Sequence, residues 1–526
     1  MTSFAFTRRH FFYGSLLAGA VPAGGFGSAP SLKAAGFRSP NEKLNIASIG
    51  AGGRAADDIR GCQSENIVAL ADPDSVRAAA NFKQYEKAPK YTDFRKMLEK
   101  EEKTIDAVII AIPDFMHGTA AMWCMERGKH VYVEKPLCRT IWEARQLKEA
   151  AAKYGVATQM GNQHVSEEGT RQVCEVIWSG EIGNVTEVHA WTNRPIWPQS
   201  MKELPKEEPV PATLDWDAWL GIKEMRPYSS TYMPFNWRGW KDFGTGPVGD
   251  ELIHTLGAPN LALRLTAPTS VEVVKQEDKN PYSYGKNVVT RWQFPARGPM
   301  PPVTLYWYDT STGARYRPPG LPEDEPVIPA RTNTFPRPPA GDGGGPPAAG
   351  RAGGGGGAGR ANIAGGAAAG AAAAGGQGAG RGAGAGGGGG RAGGAGGRGG
   401  GGGGQNQGVV FVGDKGYLAA GGEGTEGGAA LLPAARMKDY VLPPQKMWRS
   451  PGHYAEWIMA CKGCVPRTMS DFAYAAPLAE TVLLAVIALE FEGKLEWDAE
   501  KGMFTNNKEA NKYLQPPHFR KGWSFT

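Results

Sequence analysis

Little in this sequence of 526 residues is suited to crossing a membrane. The apolar run nearest the N-terminus, Tyr13–Ala23, is too short and too rich in glycine to make a good span. Cysteine is scarce as well, with six residues in all. Cys62, Cys124, Cys138 and Cys174 are scattered through α/β pattern and read as small buried hydrophobes. The other two form a single C-x-x-C, Cys461–Cys464, with no second pair and no histidines nearby. That argues against zinc and leaves a local disulfide open in an oxidising compartment. The body of the chain also lacks excess positive charge. The formal net charge of +6 falls on Arg8, Arg9 and five arginines of a Gly/Ala tract, Arg351, Arg360, Arg381, Arg391 and Arg398. Without these the chain is close to neutral, which argues against a nucleic-acid surface and against an acidic partner.

With 41% hydrophobic residues, the sequence can build two domains with real cores. Residues 1–35 read as an export signal. Thr7-Arg8-Arg9-His10-Phe11-Phe12 has the twin-arginine pattern, and small residues around Ala23 and Ala29 offer cleavage points. The expected location is periplasmic or otherwise exported, with the twin-arginine machinery as a partner. That route carries folded proteins, which suits one that takes up a cofactor before export. Residues 336–407 are almost all Gly, Ala, Pro and Arg and cannot bury enough apolar surface to offset their ordering entropy. They are expected to be a disordered insertion in a surface loop. Arg-Gly-Gly repeats can bind RNA, but an exported protein meets little of it.

From Lys43 strands and helices alternate. Strands are expected at Lys43–Ile49, Asn66–Ala71, Ile105–Ile112, His130–Val133 and Val156–Met160. Helices follow over Gly50–Arg60, Ser75–Lys87, from Tyr91, over His117–Arg127 and over Thr140–Tyr154. Repeated βαβ units with short loops predict a doubly wound parallel sheet of Rossmann type over residues 36–165. Beyond it the pattern is α+β: a helix over Gly169–Ser179, then strands at Val185–Thr192, Val271–Lys275, Val288–Phe294 and Val303–Tyr308. A hairpin from Val409 and an apolar helix over Pro477–Glu490 complete it. Residues 166–335 and 408–526 thus form a second α+β domain with a large, mainly antiparallel open sheet, split by the insertion.

The first strand runs into Gly50-Ala51-Gly52-Gly53-Arg54-Ala55, which satisfies G-x-G-x-x-G/A between a strand and a helix. Gly50 allows the tight turn, Gly52 lets the backbone approach a pyrophosphate, and Ala55 lets the helix lie close to the strand. Asp72 ends the second strand about 20 residues on, where a carboxylate accepts from a ribose hydroxyl and repels a 2′-phosphate. NAD is therefore favoured, with NADP the alternative if Arg54 compensates. His117, after the third long strand, either starts a helix or touches the cofactor.

Several segments together resemble the Gfo/Idh/MocA oxidoreductases, and most closely an exported branch common in planctomycete-type bacteria. They are Pro113-Asp114-Phe115-Met116-His117, Gly128–Leu137, Gln159–Gln163, Trp191–Trp197, Gly246–His254 and Val412–Gly416. The likeness covers nearly the whole chain apart from the signal and the insertion. It implies tightly held NAD with contacts from Pro113, His117, Glu134, Lys135 and Gln163. Glu134 is then placed near the nicotinamide ribose and Lys135 toward the substrate. The Asp250-x-x-x-His254 pair, one helical turn apart, would face Lys135.

Oxidising a secondary alcohol needs a hydride acceptor, which the cofactor supplies, and a base for the hydroxyl proton. His254 fits the base, and Lys135 can polarise the oxygen. Asp250 bonds either to the His254 ring or to the substrate itself. No metal is expected, since Asp250, Glu251 and His254 lack a second histidine at ligand spacing. His164, Asn193, Arg194, Trp237 and Arg238 are the candidates for substrate binding, because aromatics beside amides and arginines suit a carbohydrate. Trp197, Trp216, Trp219 and Trp240 read as packing.

The expected activity is hydride transfer between nicotinamide and a secondary hydroxyl of a sugar, cyclitol or glycoside. An NAD-dependent glycoside hydrolase working by transient oxidation and elimination, and a silent sugar-binding protein, are the alternatives. The resemblance also implies a homo-oligomer through the open sheet.

Overall fold

The computed structural model describes residues 42–194, 197–309, 316–336, 407–422 and 424–526. The residues read as an export signal, with their arginine pair, and nearly all of the Gly-rich insertion lie outside the described residues.

The first sheet has six parallel strands in the order β3-β2-β1-β4-β5-β6. They are β1 Asn45–Ile49, β2 Asn66–Ala71, β3 Lys90–Tyr91, β4 Ala107–Ile110, β5 His130–Glu134 and β6 Thr158–Gly161. All four residues of β4 are buried, as the apolar run at the centre of a sheet covered on both faces requires. The connecting helices are α1 Arg54–Gly61, α2 Ser75–Gln84, α3 Phe94–Glu101, α4 Asp114–Glu126 and α5 Ile141–Tyr154. Their starts follow from local chemistry. Asp74 accepts from the Val76 and Arg77 amides, Asp93 from the Arg95 amide, and Thr140 with Glu143 closes a capping box. Two of the boundaries that differ from expectation have a local cause. Tyr91 belongs to a short edge strand rather than a helix, since the Asp93 cap delays α3 to Phe94. His117 lies inside the first turn of α4, which begins at Asp114 after Pro113.

The second sheet has nine strands in the order β13-β12-β11-β7-β10-β9-β8-β14-β15. It comprises β7 Val185–Thr192, β8 Ser270–Glu277, β9 Lys286–Phe294, β10 Val303–Asp309, β11 Gln407–Gly413, β12 Gly416–Gly421, β13 Ala429–Leu432, β14 Lys494–Asp498 and β15 Met503–Phe504. Only β7 and β10 pair parallel within it; every other neighbouring pair is antiparallel. Strand β9 alternates buried and part-buried residues, the signature of a sheet with one covered face. Helix α6, Glu168–Trp178, precedes β7.

Two late helices bind the halves together. Helix α7, His453–Cys461, packs Trp457, Ile458 and Cys461 into the apolar cluster formed by Ile46, Ile59, Leu70, Ile109 and Tyr132 of the first sheet and its helices. Part of the chain assigned to the second domain thus covers the first. Helix α8, Phe472–Ala488, starts five residues before Pro477, because Asp471 caps it through the Tyr474 amide. The Cys461–Cys464 disulfide is not formed: Cys461 is buried at the end of α7, Cys464 is exposed, and both are free thiols. Among the described residues no helix is long and apolar enough to cross a membrane.

Trp457 is fully buried and packs edge-on against Tyr132, with ring centroids 5.6 Å apart. Trp457→Ala should cost about 3–5 kcal/mol, read as a lower urea midpoint. An unchanged midpoint would show that α7 lies outside the cooperative unit.

Candidate active site

The glycine loop between β1 and α1 is held by its own geometry. Gly50 has φ +93° and donates its amide to Ala71 at 2.8 Å. A Cβ on Gly50 would overlap the Ala111 carbonyl, and one on Gly52 the Arg77 carbonyl. Asp72 lies at the end of β2, its carboxylate accepting from the amides of Ala51 (2.8 Å), Gly52 (3.2 Å) and Asp74 (2.9 Å). Burial raises its pKa, and those three amides oppose the rise.

Beside this loop opens a cavity of about 530 Å³ between the two sheets. It has the features a dinucleotide needs: a cradle with no room for a Cβ, a helix N-terminus and a carboxylate at the end of β2. His117 completes one wall. Its Nε2 lies 2.6 Å from the Ile112 carbonyl, and its buried Nδ1 has no hydrogen-bond partner among the described residues. NAD would be held by Gly50, Gly52, Gly53, Asp72, Pro113, His117, Glu134 and Gln163, all on the cavity wall.

Glu134 ends β5. Its Oε1 accepts from Gln163 at 2.7 Å and from Arg54 Nε at 3.1 Å. Arg54 also meets Asp58 at 3.2 Å and the Tyr454 hydroxyl of α7 at 2.8 Å. It is committed to Glu134 and Asp58, away from Asp72, so the compensation that would favour NADP does not come from Arg54.

Directly after β5, Lys135 reaches across to the second domain. Its Nζ lies 2.7 Å from Asp250 Oδ1 and 2.8 Å from the Asp250 carbonyl. Arg238 Nε reaches the same Oδ1 at 3.0 Å, and its guanidinium sits over the Phe235 and Trp237 rings at 4.3 and 4.2 Å. Burial alone would raise the Asp250 pKa, but Lys135 and then Arg238 hold it well below the usual carboxylate range. The segment expected as an α-helix begins as a π turn, Val248–Leu252, and continues as an α turn over Ile253–Thr255. Asp250 is thus tied to Lys135 and Arg238, and His254 stands beside them on the cavity wall. The His254 ring meets the His164 ring edge-on, with centroids 5.3 Å apart.

Of the residues expected from the sequence, Ala51 and Asn193 are not on the cavity wall. Ala51 acts through its amide on Asp72. Strand β7 ends at Thr192, which leaves Asn193 exposed beyond it. His164, Arg194, Trp237 and Arg238 do line the cavity, as does Trp219, which was read as packing alone. Trp197, Trp216 and Trp240 are buried and off the wall, as expected of packing residues. Sequence reasoning missed Arg77, whose side chain lies against Gly52 and Gly53, and Phe235. It also gave no role to Asp114. This buried carboxylate accepts from Thr245 Oγ1 at 2.7 Å and from the Thr245 amide at 3.1 Å, just before the π turn. Burial, with Asp250 nearby, pushes Asp114 up to about 6.

A Rossmann domain whose glycine loop and Lys135 share one cavity with a histidine of a second domain, built on a mostly antiparallel sheet, defines a two-domain dinucleotide-binding protein. Residues 44–162 match the family model described as the oxidoreductase family, NAD-binding Rossmann fold, and residues 176–292 match its C-terminal alpha/beta domain. Both models are those of the Gfo/Idh/MocA oxidoreductases, which the chain resembles over these two stretches. The chain is 30% identical over 152 residues to inositol 2-dehydrogenase 2 of Saccharopolyspora erythraea, covering 28% of this chain and 44% of that one. It is 30% identical over 138 residues to inositol 2-dehydrogenase of Salmonella typhimurium, covering 26% and 40%. The matched segments thus span less than half the length of these curated relatives. Among solved structures, the WlbA dehydrogenase from Bordetella pertussis in complex with NADH and UDP-GlcNAcA shares the fold. It aligns at a TM-score of 0.51 with 12% identity, over 87% of this chain and 99% of that one.

Burial pushes His117 down to about 4. Unfolded, it takes a proton near 6.5, so below that pH the unfolded state gains protons that the folded state does not. The stability contributed by the neutral ring is complete above pH 6.5 and is lost as pH falls toward 4, by an amount on the order of 3 kcal/mol. His117→Asn should therefore show a smaller drop in melting temperature between pH 7 and pH 4.5 than the natural protein. Equal drops would contradict this role.

Proposed function

We propose that this protein is an NAD-dependent oxidoreductase acting on a secondary hydroxyl of a sugar, cyclitol or glycoside. The observation that carries the reading is the Lys135–Asp250 contact of 2.7 Å, made at the mouth of the nucleotide cavity beside His254. The inositol dehydrogenases among its relatives support the substrate class. Bound NAD supplies the hydride acceptor. Lys135 directs its ammonium at the substrate oxygen and stabilises negative charge as it develops there. Asp250, itself held by Arg238, keeps that ammonium in place, which supports an orienting role for Asp250 toward Lys135. His254 takes the hydroxyl proton. Arg194, Trp237 and Arg238 present the stacked faces and donors that a polyol requires. The twin-arginine pattern of residues 7–12 supports export to the periplasm with the nucleotide already bound. The open second sheet supports assembly with further copies of the chain.

Lys135→Ala and His254→Ala should each lower turnover by about 10²–10⁴-fold. Both should still release one nucleotide per chain on denaturation. Full activity in either variant would refute these roles, and absence of nucleotide from natural protein taken from the periplasm would refute tight retention. Product analysis separates two chemistries: release of an oxidised product marks a dehydrogenase, whereas glycosidic cleavage without an added acceptor marks the redox-cycling hydrolase.

A further inference from the structure

The fold gathers three potential ligands that chain order keeps apart. His164 lies in the 3-10 turn Gln163–Ser166 after β6, and Glu167 follows that turn. Glu426 comes from the connection between β12 and β13. One ligand atom from each of the three lies within 4.8 Å of the others. Both carboxylates address the same ring nitrogen: Glu167 Oε1 is 3.2 Å and Glu426 Oε2 2.9 Å from His164 Nδ1.

The surroundings hold this arrangement closely. A Cβ on Gly424 would overlap the His164 side chain, and one on Gly422, at φ +92°, would meet the Glu426 carboxylate. Thr425 Oγ1 lies 3.0 Å from Thr170 Oγ1 and fastens the connection to α6. A ring nitrogen offers one proton or one lone pair. It therefore serves one of two carboxylates at a time, whereas a divalent ion accepts a ligand atom from all three and keeps positions open. The three side chains carry more negative than positive charge whether the ring is protonated or neutral. The location is also specific. His164 lines the same cavity as Lys135 and His254, and its ring touches that of His254.

We propose that His164, Glu167 and Glu426 form a divalent-cation site just behind the cavity wall at His164. The mixed nitrogen and oxygen donors suit a first-row ion such as Mn²⁺ or Zn²⁺. The ion would fix the His164 ring that meets His254, a role that rests on the oxidoreductase reading; cation binding itself does not.

The test uses the full chain without a tag, stripped of metal and titrated with Mn²⁺ while the free-ion electron paramagnetic resonance signal is followed. One equivalent should bind. Glu167→Gln and Glu426→Gln should each weaken binding at least tenfold while releasing as much nucleotide on denaturation as the natural protein, which shows that the fold persists. The inference is overturned if the natural protein binds no Mn²⁺, or if both variants bind it equally well. Nucleotide and turnover without Mn²⁺ binding would sink this site alone; Mn²⁺ binding without either would sink the oxidoreductase reading alone.

Discussion

The rest of the site depends on a buried ion pair between domains. Lys135 stands at the carboxyl edge of one sheet and Asp250 in a π turn of the other domain, and neither charge has much access to water. Removing Asp250 would leave the Lys135 and Arg238 cations without their shared partner, at a cost of about 3–5 kcal/mol. The pair is therefore a registration device as well as a source of charge. It sets how far the His254 turn stands from the nucleotide cavity. Asp114 and Thr245 add a second tie across the same junction, a few residues before the turn.

The opposite wall is organised around Glu134. Arg54, Gln163 and the Tyr132 hydroxyl gather on this carboxylate, and Tyr454 bonds both Arg54 and Asp58. These bonds join the first turn of α1, the end of β5 and helix α7 into one unit. Arg54 offsets the charge of Glu134 within this unit, while Lys135 and Arg238 share Asp250 on the cavity wall.

Much of this was legible in the sequence because it is encoded locally. The Gly50–Ala55 loop, the β-branched run of β4 and the Thr140–Glu143 capping box each occupy a few adjacent residues and obey short-range sterics or hydrogen bonding. Lys135, Asp250 and His254 were legible only through resemblance, since nothing in their spacing places them together. The π turn was read as an α-helix because an i, i+4 pair looks the same in both. The end of β7 at Thr192 was legible, but not that the next residue, Asn193, is exposed beyond it. Arg77, Tyr454 and Glu426 gave no signal at all. Each reaches its place through contacts between elements distant in sequence, and no local pattern records such contacts.

Helix α7 has a consequence for the order in which the protein can be made. Tyr454 and Trp457 close one face of the first sheet, yet they are encoded after the Gly-rich tract and more than 300 residues beyond the glycine loop they support. A nascent chain that has emitted only its Rossmann segment exposes Ile46, Ile109 and Tyr132 where α7 belongs. It also lacks the hydroxyl that steadies Arg54. The nucleotide pocket thus has its full support only once α7 has been made.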